Sequence, residues 1–278
     1  MYKKLSPFIA SLIFSAIGIS TLHAEANDKT IYHSHDEKST EQALGYSKTN
    51  QSISRYLAYR DIPSLITQYV HGKKTLDYGA GTGFSTQFLQ EQNLDVTGVD
   101  ISNEMLAQAV SNCPNTPFYL IQNGSIPIAS ETYDLVFSSF VLFELGSEKE
   151  ILNYLKEARR VMKEDGVFVA VTASQDAYSK DWFCYNIDYP ENKNLKSGNL
   201  VKAYDRQINM EFTDYYWTET DYLHLFQQAG LQIIGAHYPK GKEGEPYLWR
   251  DEKTNSPFVI FIARPDIHPS LGPQETAD

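Results

Sequence analysis

Between Thr75 and Ser85 the chain reads Thr75-Leu76-Asp77-Tyr78-Gly79-Ala80-Gly81-Thr82-Gly83-Phe84-Ser85, and Val99-Asp100 closes the next apolar run. The alternating glycines let the backbone turn through positive φ and approach a ligand with no Cβ in the way. The hydrophobic pattern predicts a short strand from Lys74 to Tyr78, the glycine turn, a helix, and a second strand from Asp95 to Val99. In an α/β sheet, an acid about twenty residues past such a turn, at the carboxyl end of the second strand, receives the ribose hydroxyls of an adenosine-type ligand. The feature therefore points to an α/β sheet carrying a nucleotide-like cofactor. Its spacing narrows the choice, because Gly79-x-Gly81-x-Gly83 lacks the G-x-G-x-x-G placement that sets a pyrophosphate on a helix start. Asp77 would repel a phosphate but would accept hydrogen bonds from an ammonium group.

Four further segments follow in order: Gly98-Val99-Asp100-Ile101-Ser102, Phe118 to Pro127, Tyr133-Asp134-Leu135-Val136-Phe137-Ser138, and Ala158-Arg159-Arg160-Val161-Met162 before Gly166. With these, the chain resembles the class I S-adenosylmethionine-dependent methyltransferases from roughly Lys73 to Pro265. The resemblance implies a Rossmann-like doubly wound α/β sheet, mostly parallel with an antiparallel last strand, and S-adenosyl-L-methionine as cofactor. It assigns the methionine portion to Asp77 and to Ser138 at the end of strand four, and close approach of the backbone to Gly79, Ala80 and Gly81. Asp100 would take the ribose and Ile101 would lie against the adenine face. Gln122, where the family carries an Asp, would take the adenine amino group through its amide oxygen, and the Asn123 N–H would meet the ring. Glu144 and His237 are candidate bases for an acceptor that must lose a proton. The implied activity is methyl transfer to a small-molecule O or N acceptor.

Residues 53–265 carry the expected methyltransferase domain, with 173–216 a lid inserted after strand five. That insertion is rich in Tyr, Trp and Phe and is too long for a plain connection, so it is expected to shape the acceptor pocket. Upstream, Tyr56, Leu57, Ile62, Leu65, Ile66 and Val70 recur at helical spacing with Asp61 a candidate N-cap. Tyr46, Tyr56 and Arg60 are candidates for closing over the cofactor, Arg60 by pairing with its carboxylate. Ser147 and Glu150 form a capping-box pair ahead of a helix to about Met162. Gly241 to Pro246 and the 266–278 tail read as flexible, as does the polar 27–52 lead-in.

At the N-terminus, Lys3 and Lys4 precede an apolar run from Phe8 to Leu22, then Ala24-Glu25-Ala26. This is the pattern of a secretory signal peptide over 1–26, which would make the mature protein exported, periplasmic or secreted; the alternative is an uncleaved N-terminal membrane anchor. Cys113 and Cys184 permit one disulfide or two free thiols, and neither they nor the histidines suggest a metal site. The net charge of −11 argues against a nucleic-acid partner. Oligomeric state stays open, and no membrane contact is expected once the signal is cleaved. Two rival readings remain at this level: a protein that binds S-adenosylmethionine without turnover, and a NAD-dependent oxidoreductase, which Asp77 and the glycine spacing disfavour.

Overall fold

The computed structural model describes residues 30–33, 52–122 and 124–266. Strand β1 is Thr30–His33. The main sheet contains β2 (Lys74–Tyr78), β3 (Asp95–Asp100), β4 (Phe118–Leu120), β5 (Tyr133–Ser139) and β6 (Met162–Ala173). After these come β7 (Tyr185–Asn186), β8 (Leu200–Asp205), β9 (Met210–Tyr215), β10 (Leu231–His237) and β11 (Phe258–Pro265). The described helices are α1 (Ile53–Tyr59), α2 (Ile62–Tyr69), α3 (Phe84–Glu91), α4 (Asn103–Asn112), α5 (Glu148–Val161) and α6 (Glu219–Gln228).

Seven strands form the main sheet in the order β10-β11-β6-β5-β2-β3-β4, parallel throughout except for β11, which runs against both its neighbours. The runs Leu135-Val136-Phe137 and Val259-Ile260-Phe261 are fully buried, as helices covering both faces require. In α5, Ile151, Tyr154, Leu155, Ala158 and Val161 recur at helical spacing and pack with α6 on one face. On the other face Ala58, Tyr59, Ile62 and Ile66 of α1 and α2, with Leu89 of α3, cover Phe137, Val169 and Ile260. The helix end at Gly230 takes φ 74, a left-handed turn that favours glycine. That helix, α6, is capped by Thr218 and Asp221. At α5 the Ser147 hydroxyl accepts from the Glu150 N–H and donates to the Glu150 carboxylate.

The lid is more structured than its sequence suggests. Strands β9, β8 and β7 join β1 in a second sheet of order β1-β9-β8-β7, with β1 parallel to β9 in the register Thr30↔Met210 to His33↔Thr213. Part of the expected flexible lead-in is thus a strand. The β8–β9 hairpin turns where Asp205 Oδ1 accepts from the Gln207 and Ile208 N–H groups, at 2.8 and 3.3 Å. The 241–246 stretch, expected to be flexible, is also held: Glu245 accepts from Tyr56 Oη, Arg60 Nη1, Trp249 Nε1 and the Lys242 N–H, all within 2.8 Å. Cys113 and Cys184 are both buried free thiols. The 1–26 signal, most of the lead-in including Tyr46, and the 267–278 tail lie outside the described residues.

Candidate active site

The strand order reverses at β2, which lies between β5 and β3, so a crevice opens beyond the carboxyl ends of these strands. The glycine turn forms its floor, with Gly79, Gly81 and Gly83 at φ 85, 54 and 87. The N–H groups of Gly79 and Ala80 both donate to the Val99 carbonyl at 2.9 Å, which ties the turn to the end of β3. A Cβ at Gly79 would lie 2.4 Å from a methyl carbon of Val141, just past β5. Only glycine lets the ends of β2 and β5 come this close.

Asp77 is 1% exposed beneath this turn. Its Oδ2 accepts from the hydroxyls of Ser85 at 2.7 Å and Thr86 at 2.6 Å, while its Oδ1 has no hydrogen-bond donor. Burial pushes its pKa up to about 6; the Thr86 and Ser85 hydroxyls oppose the shift and nearby Asp100 adds to it. A buried carboxylate oxygen left without a donor is costly, and a ligand ammonium is the group that would satisfy it. Asp100 closes the crevice on the β3 side, its Oδ2 accepting from the Gly81 N–H at 2.8 Å and its Oδ1 from the Ser102 N–H at 2.9 Å. A carboxylate offers about four acceptor positions, so two remain for a pair of ribose hydroxyls. Beside it Ile101 is 76% exposed, an apolar side chain with room for a flat ring against it. Together these residues fit an aminoacyl-adenosine ligand. Gln122 is exposed in the tight turn after β4, where it bridges to Ser125, and Asn123 lies outside the described residues.

Ser138, expected at the methionine end, has its hydroxyl engaged by α5. Its side chain points to the α5 face of β5, 1% exposed, with its oxygen 2.8 Å from Tyr154 Oη. Tyr154 in turn donates to the Tyr78 carbonyl at 2.8 Å and stacks on the Tyr78 ring. Strand alternation is the reason, since the neighbouring Ser139 faces the other way and bonds Tyr59 Oη. Ser138 therefore steadies the end of β2.

Arg60 is likewise engaged elsewhere, with Asp61, Glu245 and the Lys240 carbonyl. Asp61 caps nothing through its side chain; the hydrogen bond from Arg60 holds its carboxyl well below the usual range, with help from His237 and Lys242. His237 joins this cluster through Asp61 Oδ2 at 3.0 Å and lies on β10 at the sheet edge. It is not among the residues that line the cleft described next. Among the described residues, Arg55 is a cation near the crevice, one that the helical spacing did not single out. It is buried, and its guanidinium carbon lies 4.5 Å from the centre of the Phe84 ring at the start of α3. Arg55 and Tyr59 share one face of α1 at i,i+4 spacing, Tyr56 and Arg60 the adjacent one, and only packing shows which face meets the sheet.

A cleft opens from the ends of β5 and β6 toward the small sheet, with an empty volume, mouth included, of about 730 Å3. Phe140, Phe143 and Glu144 line it from the β5 side, and Tyr178, Asp205 and Asp214 from the lid. Phe140 stands at φ 60, an uncommon conformation for a bulky residue, and its N–H donates to Val171 at 2.9 Å. Arg55 lines the same cleft and so links it to the glycine turn.

Residues 76–170 match the methyltransferase-domain family. A demethylmenaquinone methyltransferase of Tropheryma whipplei is 30% identical over 46% of this chain and 54% of its own. The N-demethylindolmycin N-methyltransferase of Streptomyces griseus is 21% identical over 73% of this chain and 91% of its own. An S-adenosylmethionine-dependent methyltransferase of Clostridium acetobutylicum shares the fold at a TM-score of 0.57 and 15% identity, over 81% of this chain and 99% of that one. Fold and crevice thus define a transferase of the Rossmann-like kind. The chain carries a methyltransferase domain and is similar to the class I S-adenosylmethionine-dependent methyltransferases, and S-adenosylmethionine is its cofactor.

Proposed function

We propose that this methyltransferase acts on a small molecule, at N or O, held in the cleft beneath the lid. One observation carries the proposal: Arg55 lines the cleft beside Phe140 and lies over the ring of Phe84, the residue that follows the glycine turn, so an acceptor in the cleft is separated from the cofactor crevice by that side chain. The two relatives named above are, by their names, small-molecule methyltransferases. A chain of net charge −11 suits such a substrate better than a nucleic acid.

When bound, the cofactor supplies a methyl group activated on sulfonium. The chain's own task is to align and to exclude water. In this assignment Asp77 Oδ1 receives the ammonium, Gly79, Ala80 and Gly81 allow close approach, and Asp100 takes the ribose. Ile101 covers the adenine, and Gln122 meets its edge. Glu144, at the mouth of β5, takes a proton where the acceptor must lose one.

Filling the cleft tests the proposal. Ala203→Phe, at a buried lining position, should leave S-adenosylhomocysteine affinity within about threefold, because the cofactor contacts lie on other elements. It should abolish turnover of whichever acceptor a small-molecule screen identifies. Unchanged turnover would place the acceptor elsewhere.

A further inference from the structure

The cleft beneath the small sheet has aromatic walls, including Phe140, Tyr178, Tyr185 and Phe212, and its charge is uneven. Among the described residues that line it are the carboxylates Glu144, Asp205 and Asp214 and the guanidinium of Arg55. That guanidinium lies over the Phe84 ring, on the glycine-turn side. Asp205 is the informative member. It is 2% exposed, and its donors are all neutral: the Gln207 and Ile208 N–H groups and the Ser54 hydroxyl at 3.4 Å. No described cation pairs with it, and burial pushes its carboxyl up from the ordinary value. Asp214, 8% exposed, accepts from Tyr178 Oη at 3.2 Å. A buried carboxylate with neutral donors alone is stabilised in its charged form by a cation placed beside it, and aromatic faces attract a cation to the same place.

We infer that the acceptor is a cationic amine, held against Asp205 and Asp214 by the aromatic walls, and that the methyl goes to its nitrogen. The inference rests on the cleft being the acceptor site, as proposed above. Before attack the ammonium gives one proton to Glu144. Its nitrogen lone pair then bonds to the methyl carbon as the carbon–sulfur bond breaks, and that bond's electron pair stays on sulfur. Positive charge passes from sulfonium to the methylated ammonium, so the carboxylates still face a cation in the product. A neutral alcohol would leave Asp205 uncompensated, and an anion would add a further negative charge to the cleft.

The test uses three small probes of one shape, titrated calorimetrically into the full chain saturated with S-adenosylhomocysteine: choline, its uncharged carbon isostere 3,3-dimethylbutan-1-ol, and 3,3-dimethylbutanoate. Choline should bind about tenfold or more tightly than the alcohol, and the carboxylate weakest. Asp214→Asn should remove most of the choline preference while leaving the alcohol and S-adenosylhomocysteine affinities within about twofold, as loss of a charge contact predicts. Asp205→Asn should do the same, with circular dichroism reporting whether the hairpin survives; if it does not, Asp214→Asn decides. The inference is overturned if the alcohol binds as well as choline, if choline does not bind, or if Asp214→Asn keeps the preference. Failure of the wild-type chain to bind S-adenosylhomocysteine is a separate outcome, which overturns the cofactor assignment and this inference with it.

Discussion

The burial of Asp77 pulls against the ammonium-binding role proposed for it. Burial raises its folded value to about 6 from an ordinary 3.8, so the ligand-free fold holds this proton more tightly than the unfolded chain does. Its contribution to stability is complete below pH 3.8 and is lost as pH rises through 6. Asp77→Asn should therefore stabilise the ligand-free protein at pH 8 by about 1–3 kcal/mol, with little gain at pH 4, in urea melts at the two values. The ligand ammonium needs the ionised form. Wild-type S-adenosylhomocysteine affinity should thus rise about tenfold per pH unit below 6 and level off above it, and Asp77→Asn should flatten the profile. A flat wild-type profile by calorimetry would detach Asp77 from the ammonium. Asp100→Ala should weaken S-adenosylhomocysteine by roughly 1.5–3 kcal/mol, the range for charge-assisted hydrogen bonds. Because Asp100 also anchors the Gly81 N–H, circular dichroism of the variant should accompany the titration.

Several elements converge on one loop. Glu245 gathers Tyr56 and Arg60 from the α1–α2 corner and Trp249 from its own segment, while buried Glu252 accepts from the Phe183 N–H of the lid at 2.6 Å. Trp249 packs with Leu57 and Cys184, and a Cβ at Gly241 would meet its ring at 2.4 Å. The loop therefore fastens both the helix that carries Arg55 and the lid. Glu245→Ala leaves the Trp249 indole N–H without its acceptor and removes one of the two carboxylates that pair with Arg60, so it should cost about 1–3 kcal/mol in chemical denaturation. A loss below about 0.5 kcal/mol, typical of a surface substitution, would mean the loop is only draped over the core. The hairpin tip adds a further tie, since the Ile53 N–H donates to Gln207 Oε1 at 2.7 Å and the Ser54 hydroxyl to Asp205. Lid and α1 thus meet directly over the cleft.

For the whole molecule, we propose that residues 1–26 act as an export signal, so that mature protein begins near Asn27, ahead of β1. N-terminal sequencing of protein from the producing cell checks this, and an intact Met1 in a membrane fraction would indicate an anchor. No described helix is long and apolar enough to cross a membrane. Much of the architecture was legible in the chain itself. The Lys74–Tyr78 strand, the glycine turn, Asp100 at a strand end and the buried runs of β5 and β11 all follow from local rules, because a sheet covered on both faces needs unbroken apolar strands and a tight turn needs glycine. What the sequence could not determine depends on which way side chains face and on contacts between distant segments. Ser138 and Ser139 are equivalent to a reader of residues, yet alternation sends one to Tyr154 and the other to Tyr59. Arg55 and Arg60 lie on one short helix and at its cap, and packing gives the first to the crevice and the second to Glu245. The pairing of Thr30–His33 with β9 joins segments far apart in the chain, and no local pattern specifies such a partner. The acidic, aromatic cleft exists only where β5, β6 and the lid meet, so its chemistry was decided by the tertiary fold.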